Sequence, residues 1–507
     1  MFLQCSKAQR RAILINAVNP VCCILYKAIV LTDKRTMHYD VAIIGGGPGG
    51  STCANYLRRS GYTVAVFEKE FFPRDHVGES LIPYTFYKMK EMGVLDQIAP
   101  FTTKKPGVNF VDRDGLRQSV WCFDKIMNDG AEMSMHTLRA PFDHALLKRA
   151  AELGADVFEG ATVKNVDLSN PSQATLDVQQ HDGTRKNYTA RFLVDASGQH
   201  AFLAARQRTR EPYEGLDRVA LFTHWVNTNY DSALRSGLIK IVYIGGEKLG
   251  WLWVIPVGRN HLSIGVTLNN TYVKEQKKQL GDDWKTALYK QLIDEALCLK
   301  PVLEGASIEH EVQVMGDYSY RVSQKFGSNF ALAGDSAAFL DPIFSSGIYV
   351  AMEVAHRVAD CLHVKFTQGD EAGQAAFEKQ YKEVDAAYAL IEKFIRLFYD
   401  PNLLNFAHAG AGDNGYQKFL AAYEIFHYLL AGDFFNNTEK YTAFIDTLTR
   451  ERNYNQFIHF IKNKVNEFPT EHYCGYTFEE VYGHLPPGEQ VAPGLLSSVM
   501  NKETHKQ

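Results

Sequence analysis

The 507-residue sequence lacks the cysteine and histidine patterns of metal-binding and disulfide-stabilised proteins. Its eight cysteines are scattered, with no Cys-x-x-Cys pair, and no histidines cluster at the spacing of metal ligands. We therefore expect no metal site and no disulfide framework, and we interpret the cysteines as reduced, mostly buried residues of a cytoplasmic protein. They are Cys5, Cys22, Cys23, Cys53, Cys122, Cys298, Cys361 and Cys474.

The chain also lacks the charge pattern of a nucleic-acid-binding protein. Its formal net charge is -4, and no stripe of lysines and arginines could follow a phosphate backbone. We expect no nucleic-acid partner. Because 46% of the residues are apolar and 12% aromatic, the chain can bury a large core divided among subdomains.

Residues 1–36 lack the uninterrupted apolar stretch that a signal peptide or a membrane span requires. The segment is basic up to Asp33, and Asn16, Asn19 and Pro20 interrupt its apolar residues. We expect no membrane association. Our interpretation is an upstream start or a disordered leader, with a basic targeting leader as the alternative.

A strand, turn, helix and strand pattern begins after this extension. Residues 39–44 and 62–67 predict two strands, and residues 51–60 predict the helix between them. The first strand and the helix are joined by Gly45-Gly46-Gly47-Pro48-Gly49-Gly50. This context for a G-x-G-x-x-G motif indicates dinucleotide binding.

Each residue type in this motif suits a nucleotide. Gly45 permits the tight turn, Gly47 lets the backbone approach a pyrophosphate, and Gly50 allows the helix to pack closely on the sheet. Pro48 opens the helix, whose first N–H groups face the anion. Glu68, at the end of the second strand, is placed to accept a hydrogen bond from a ribose hydroxyl.

Two later segments resemble motifs of the glutathione-reductase-type FAD fold in its hydroxylase-like branch. One runs from Leu193 to Gly198 and carries Asp195, and the other delivers Asp335 at a Gly-Asp turn. The resemblance implies that Asp195, Gly198 and Asp335 contact FAD, with Asp335 accepting from the ribityl chain. A helix N-cap is the structural alternative for Asp335.

Two tryptophans alternate in the segment Gly250-Trp251-Leu252-Trp253-Val254-Ile255-Pro256. In a strand, Trp251, Trp253 and Ile255 share one face, which is also the pattern of an ordinary aromatic core. The segment reproduces the Gly-Trp-x-Trp-x-Ile-Pro signature of flavin-dependent halogenases. The resemblance to that family assigns Trp251, Trp253 and Pro256 to the active site.

The loop at residues 72–83 contains Gly78, Glu79 and Ser80. It resembles the loop that covers the isoalloxazine ring in flavin-dependent halogenases and in geranylgeranyl-reductase-like oxidoreductases. The resemblance places these three residues at the cofactor without separating the two families.

Two lysines then precede Pro106-Gly107, and the segment fits the halogenase pattern Lys-x-Gly-x-x-Phe. The fit puts Lys105 in the place of the essential lysine. A strand here would send Lys104 and Lys105 to opposite faces, so only one can enter the site. A solvated lysine pair is the alternative.

A long helix is predicted from about residue 347 to 364, with Ser345 or Ser346 as its N-cap. Its positive end favours an anion, although the same residues fit an ordinary helix start. By resemblance, a halide binds the amides of Ser346 and Gly347, and Gly347 and Ile348 contact the flavin.

The resemblance implies a halogenase that uses FADH₂, O₂ and halide and acts through hypohalous acid or a haloamine at Lys105. The Ser345-Ser346-Gly347 segment is similar to the branch acting on phenols and pyrroles, whose substrates are free or carrier-bound. The sequence has one nucleotide motif and no second one for NAD(P)H, so we expect a separate flavin reductase. An aromatic hydroxylase, a prenyl-chain reductase and a non-catalytic flavoprotein remain alternatives.

The predicted fold is therefore α/β. A glutathione-reductase-type FAD-binding Rossmann domain at residues 37–365 is interleaved with an antiparallel substrate sheet at about 101–137 and 215–315. Residues 366–507 predict a helical C-terminal cap rich in tyrosine and phenylalanine.

Overall fold

The structure is a computed structural model that describes residues 37–116, 118–245, 248, 250–316, 318–399, 420–450 and 474–485. Our interpretation of residues 1–36 lies outside these ranges, as does part of the predicted cap. Within the described ranges, no helix is both long and apolar enough to cross a membrane.

Short strands are distributed along the chain as far as residue 339. The first ten are β1 Met37–Ile44, β2 Val64–Phe67, β3 Thr102–Lys105, β4 Gly107–Asp112, β5 Gln118–Cys122, β6 Ser134–Thr137, β7 Asp156–Phe158, β8 Thr162–Asn170, β9 Gln173–Gln179 and β10 Arg185–Asp195. The others are β11 Arg210–Pro212, β12 Arg218–Val226, β13 Ile239–Tyr243, β14 Trp251–Gly258, β15 His261–Asn269, β16 Ser307–Ile308, β17 Gln313–Gly316, β18 Tyr320–Val322, β19 Phe330–Leu332 and β20 Ala338–Phe339.

The long helices concentrate towards the end of the described chain. The helices are α1 Pro48–Arg59, α2 Pro83–Met92, α3 Leu95–Ile98, α4 Arg139–Glu152, α5 Phe202–Gln207, α6 Ser232–Arg235, α7 Asn270–Leu280, α8 Trp284–Glu295, α9 Lys300–Leu303, α10 Gly347–Gln368, α11 Asp370–Tyr399, α12 Leu420–Ala431, α13 Thr438–Leu448 and α14 Phe478–Tyr482.

The first sheet contains the predicted nucleotide-binding unit. Its strand order is β7-β2-β1-β10-β9-β8, and β19 also pairs with β10. The pairs β2-β1, β1-β10 and β10-β19 are parallel, whereas β9 pairs antiparallel with both β8 and β10. All four residues of β2 are buried, as expected for a parallel strand that helices cover. Helix α1 packs against α4 and α10 over this sheet.

The second sheet has the order β16-β12-β15-β14-β13-β4-β5, with β17 also pairing with β12. We predicted an antiparallel sheet, and one pair corrects this, because β13 runs parallel to β4. Strand β4 comes from a much earlier part of the chain and enters by a crossover instead of a hairpin. Strands β3 and β6 form a separate two-stranded sheet.

The two faces of β14 pack against different parts of the protein. Trp251, Trp253 and Ile255 belong to the large core that also contains β1, α1 and α10. Leu252 and Val254 belong to a second core with residues of α7 and α8. The predicted alternation along this strand is therefore confirmed.

The cysteine prediction was wrong at one pair. Cys122 at the end of β5 forms a disulfide with Cys474 across 352 residues of sequence. Cys53 and Cys361 are free and buried, and Cys298 is free and partly buried. The pairing was invisible in the sequence because folding, not spacing, brings two cysteines so far apart in the chain together.

Candidate active site

A cleft of about 520 Å³ lies between the first sheet and the face of β14 that carries the tryptophans. It brings together most of the residues singled out in the sequence. Those that line it are Gly45, Gly47, Pro48, Glu68, Gly78, Glu79, Ser80, Gly198, Trp251, Trp253, Asp335, Gly347 and Ile348. Five others, Gly50, Lys105, Asp195, Pro256 and Ser346, are not part of its lining.

The three glycines of the motif differ in what a side chain would meet. Gly45 has a φ of +101°, and a Cβ there would lie 2.4 Å from the Ala196 carbonyl oxygen. At Gly50 a Cβ would lie 1.9 Å from the Gly45 oxygen, because the helix packs directly on the turn. At Gly47 the only contact would be the Arg74 guanidinium at 3.5 Å, and the Cβ would enter the open cleft. This backbone is a cradle that a side chain at Gly47 would fill.

Glu68 is held in place by the turn it faces. Its carboxylate accepts from the Gly46 amide at 2.7 Å and from the Glu70 amide at 2.9 Å. Each oxygen keeps acceptor capacity for a further donor. The carboxylate lines one end of the cleft, where a ribose hydroxyl could reach it.

The two aspartates of the later motifs lie in different surroundings. Asp195 is fully buried, and its oxygens accept from the Ser197 and Leu203 amides at 3.0 and 2.7 Å. It therefore braces the turn behind the cleft wall. Asp335 lines the cleft. Desolvation raises its pKa to about 7, although the positive charge of Arg139 lowers it in part.

Arg139, at the start of α4, is a cleft residue that the sequence reasoning missed. Its Nε and Nη2 donate to the two carboxylate oxygens of Asp143 at 2.8 Å, and Nη1 donates to the Val77 carbonyl at 2.7 Å. These bonds fix the orientation of a buried positive charge. The i,i+4 spacing of Arg139 and Asp143 was a signal for the pair but not for its place at the cleft.

The loop containing Gly78 to Ser80 forms another part of the wall. Glu79 is buried and pairs with His224 of β12, with 2.8 Å between Oε1 and Nε2. Burial by itself raises the pKa of Glu79, but the hydrogen bond and charge of His224 together lower it below its usual value. Burial lowers the pKa of His224, yet Glu79 outweighs that effect and the pKa is raised. Each group therefore favours the charged form of the other.

The first tryptophan is tied to two segments that sequence reasoning did not connect. Trp251 Nε1 donates to the Tyr399 hydroxyl at 2.7 Å, and that hydroxyl donates to Asp341 Oδ2 at 2.9 Å. Burial raises the pKa of Asp341 to about 6. Trp253 Nε1 donates to the Ser263 hydroxyl at 3.3 Å. Tyr399 thus connects α11, β14 and the loop before α10.

The two lysines of β3 face opposite sides, as the strand pattern predicted. Lys104 is exposed, while Lys105 is only 1% exposed. Lys105 Nζ donates to the Leu81 carbonyl at 2.7 Å, directly after the cleft residue Ser80. Desolvation lowers the pKa of Lys105 to about 7.

Helix α10 begins at the wall of the cleft. Its N-cap is Ser346, but no side chain caps the first amides. Ser345 has a φ of +55°, which turns the chain sharply into the helix. Gly347 and Ile348 line the cleft, so the positive end of a 22-residue helix faces it.

Comparisons with known proteins identify the family of the chain. The family model described as FAD binding domain matches residues 38–389. A 1H-pyrrole-2-carbonyl-[peptidyl-carrier protein] chlorinase of Pseudomonas fluorescens is 32% identical over 390 residues, covering 72% of this chain and 84% of the relative. The chain belongs to the flavin-dependent halogenase family.

Other halogenases are similar over most of the same region. The flavin-dependent halogenase armH1 of Armillaria mellea is 31% identical, covering 66% of this chain and 67% of its own. A tryptophan 2-halogenase of Chondromyces crocatus is also 31% identical, covering 62% of this chain and 59% of its own. The solved flavin-dependent brominase Bmp2 has a TM-score of 0.70 at 25% identity, covering 82% of this chain and 100% of its own.

The cleft of this halogenase fits FAD. Gly47 offers a cradle for the pyrophosphate at the start of α1, and Glu68 offers an acceptor for the ribose. Asp335 and the first residues of α10 line the same cleft. The protein is thus an FAD-dependent enzyme that halogenates aromatic compounds.

Proposed function

We propose that this halogenase acts on an electron-rich ring of the phenol or pyrrole type, and that Lys105 holds the halogenating species close to that ring. The single observation that carries the proposal is the burial of Lys105 without an ion-pair partner. Within the described residues, no carboxylate lies within salt-bridge distance of its Nζ. Its Nζ donates a hydrogen bond to the Leu81 carbonyl.

Such a lysine is unfavourable for stability. Burying an ammonium costs free energy unless a counter-charge compensates it, and perturbed pKa values are concentrated at functional sites. Because the pKa of Lys105 is about 7, the amine is part neutral and part charged near neutral pH. An ammonium can hydrogen-bond hypohalous acid, and a neutral amine can capture the halogen as a haloamine. Either form converts a diffusing oxidant into a positioned electrophile.

The cofactor and the halide have separate places in this proposal. When bound in its reduced form, FAD supplies the electrons with which dioxygen converts halide to an electrophilic halogen. Gly47 and the start of α1 hold the pyrophosphate, and Glu68 and Asp335 accept from the ribose and ribityl hydroxyls. The amides of Ser346 and Gly347 hold the halide, because a helix start offers donors without intrahelical acceptors.

A separate reductase supplies the reduced flavin in our proposal. The sequence has one nucleotide-binding glycine motif, at Gly45 to Gly50, and none for NAD(P)H. Full halogenation by pure protein with FAD and NADPH alone would contradict this. Addition of a flavin reductase is expected to be necessary.

The substrate proposal combines the Ser345-Ser346-Gly347 segment with the names of the relatives. Two of these relatives are a chlorinase and a brominase named for pyrrole-2-carbonyl on a peptidyl-carrier protein. A carrier-bound aromatic is therefore the first substrate to assay, and the same ring in free form is its matched comparison. Free tryptophan belongs in the panel because a tryptophan 2-halogenase is also a relative. Preferential halogenation of tryptophan would refute the phenol or pyrrole assignment.

The decisive experiment compares Lys105→Ala with Lys104→Ala. With reduced FAD, bromide and a phenol or pyrrole, Lys105→Ala should oxidise reduced FAD normally but form at least about 10²-fold less brominated product. Lys104→Ala should resemble the wild type, because its side chain faces solvent. Product is measured by mass spectrometry and flavin oxidation by absorbance.

Three outcomes would overturn the role of Lys105. Equal loss of product in both variants would indicate general damage to β3. Loss in Lys104→Ala alone would place the functional amine one residue earlier. Normal product formation by Lys105→Ala would remove the lysine from the mechanism altogether.

A further inference from the structure

Two histidines and a glutamate meet at one end of the second sheet, beside the cleft. His224 lies on β12, His261 begins β15, and Glu309 directly follows β16. We propose that these three side chains bind a divalent transition-metal ion, for which Zn²⁺ is the appropriate probe. The proposal is independent of the substrate and of the role of Lys105.

The sheet register forces these residues onto one face. His261 pairs with Val226, which is two residues after His224 on β12. On the other side of β12, Ile308 pairs with Trp225, and the Glu309 amide donates to the His224 carbonyl at 2.9 Å. Residues two apart on a strand share a face, and so do residues opposite each other on neighbouring strands. The cluster is therefore fixed by backbone pairing.

The distances are those of a site that needs only small side-chain movements. One ligand atom from each residue lies within 4.8 Å of the other two. His261 Nε2 is 3.0 Å from Glu309 Oε2, and His224 Nδ1 is 3.9 Å from the same oxygen. Ligands at about 2.0–2.2 Å from a tetrahedral Zn²⁺ are separated by roughly 3.3–3.6 Å. The observed separations bracket that range.

Hydrogen bonding leaves the relevant ring nitrogen available. His261 Nε2 is buried, yet it has no hydrogen-bond partner, although Glu309 Oε2 is close to it. These two atoms form an ion-pair contact, and a metal ion bound between them would take its place.

Glu79 supplies the outer support that metal-binding histidines usually have. It pairs with Nε2 of His224 at 2.8 Å, which leaves Nδ1 on the side of Glu309. A carboxylate on the second ring nitrogen fixes the orientation of the ring and strengthens its basicity as a ligand. His310 Nε2 lies 3.4 Å from Glu309 Oε2, but this exposed ring is not one of the three grouped ligands.

The ligand set selects the kind of ion. Two imidazoles and one carboxylate suit Zn²⁺ and other late first-row ions, whereas Ca²⁺ and Mg²⁺ prefer sites made of oxygen. An ion here would join β12, β15 and the segment after β16. Through His224 it would also fix the loop at Glu79, which forms part of the cleft wall.

The test uses the full-length protein loaded with FAD and stripped of metal with EDTA. Titration calorimetry with ZnCl₂ should show one ion per chain, and elemental analysis after dialysis should agree. His261→Ala and Glu309→Gln should each weaken Zn²⁺ binding at least about 10²-fold. His181→Ala, which changes a histidine far from the cluster in the chain, is the matched control and should bind like the wild type.

Circular dichroism and the FAD absorbance of each variant establish that it is folded. Glu309→Gln keeps the shape of the side chain, so it remains informative if His261→Ala fails to fold. Absence of stoichiometric Zn²⁺ binding by the wild type would overturn the proposal and identify the cluster as an ion-pair network only. Wild-type affinity in both site variants would also overturn it.

Discussion

Substitutions at Gly47 and Gly50 should separate cofactor binding from folding. At Gly47 the backbone has φ -68° and ψ -175°, an extended conformation that any residue adopts. A side chain there meets only the flexible end of Arg74. Gly47→Val should therefore change the free energy of unfolding of the FAD-free protein by no more than about 0.5 kcal/mol.

The same side chain would occupy the space assigned to the pyrophosphate. Gly47→Val should therefore weaken FAD binding by at least about 10²-fold, which corresponds to about 2.8 kcal/mol. Gly50→Ala should instead lower the stability of the fold and leave the affinity for FAD nearly unchanged. Its Cβ would lie 1.9 Å from a backbone oxygen, so helix and turn must separate, and overpacking of this kind costs about 1–3 kcal/mol.

Both variants are assayed by equilibrium dialysis against FAD and by thermal unfolding of the FAD-free protein. A loss of about 2 kcal/mol in Gly50→Ala should lower Tm by about 2 °C, because an unfolding entropy of about 2.1 cal/mol/K per residue gives about 1 °C per kcal/mol for a chain of this length. Tight FAD binding by Gly47→Val would refute our placement of the pyrophosphate. An unchanged Tm in Gly50→Ala would contradict the close contact between α1 and the turn.

Three further results are expected. Tyr399→Phe removes the hydroxyl that bridges Trp251 Nε1 and Asp341 Oδ2, and the loss of this partner for two buried polar atoms should destabilise the protein by about 1–3 kcal/mol in chemical denaturation; unchanged stability would exclude a structural role for the bridge. Peptide mapping without reductant should recover Cys122 linked to Cys474, and two alkylated thiols at these positions in unreduced protein would disprove the disulfide. The pKa of Lys105 is about 7 in the folded protein and near 10.5 in the unfolded chain, so the free-energy cost of burying its charge is complete below pH 7 and is relieved as the pH rises towards 10.5. The stability advantage of Lys105→Met over the wild type should therefore shrink by up to about 1.4 kcal/mol per pH unit in that window. A stability difference that stays constant with pH would contradict the lowered pKa.

Features that depend on neighbouring residues were predictable from the sequence. The strand at Met37–Ile44, the glycine turn and the helix at Pro48–Arg59 follow from local sterics and from the period of the apolar residues. The same period of two separated Lys104 from Lys105 and put Trp251 and Trp253 on one face, whereas the choice of Lys105 for the site came from the family resemblance. These predictions needed no knowledge of which distant segment lies opposite.

Features that depend on pairing between distant segments were not predictable. Residues 122 and 474 form a disulfide across 352 positions, and the parallel pairing of β4 with β13 also joins distant parts of the chain. The cofactor contact expected of Asp195 stays a prediction, and the motif gave no sign that its carboxylate accepts from the Ser197 and Leu203 amides.

The sequence by itself thus determined the nucleotide-binding unit, the alternation of the key strands and the family to which the residues point. The tertiary structure decided the partners: Tyr399 for Trp251, Asp143 for Arg139 at the cleft, and the approach of His224, His261 and Glu309. The physical reason is the separation in sequence over which the interactions act. Local conformation is governed by sterics within a few residues, whereas these contacts arise from sheet register and helix packing, which no short spacing in the chain records.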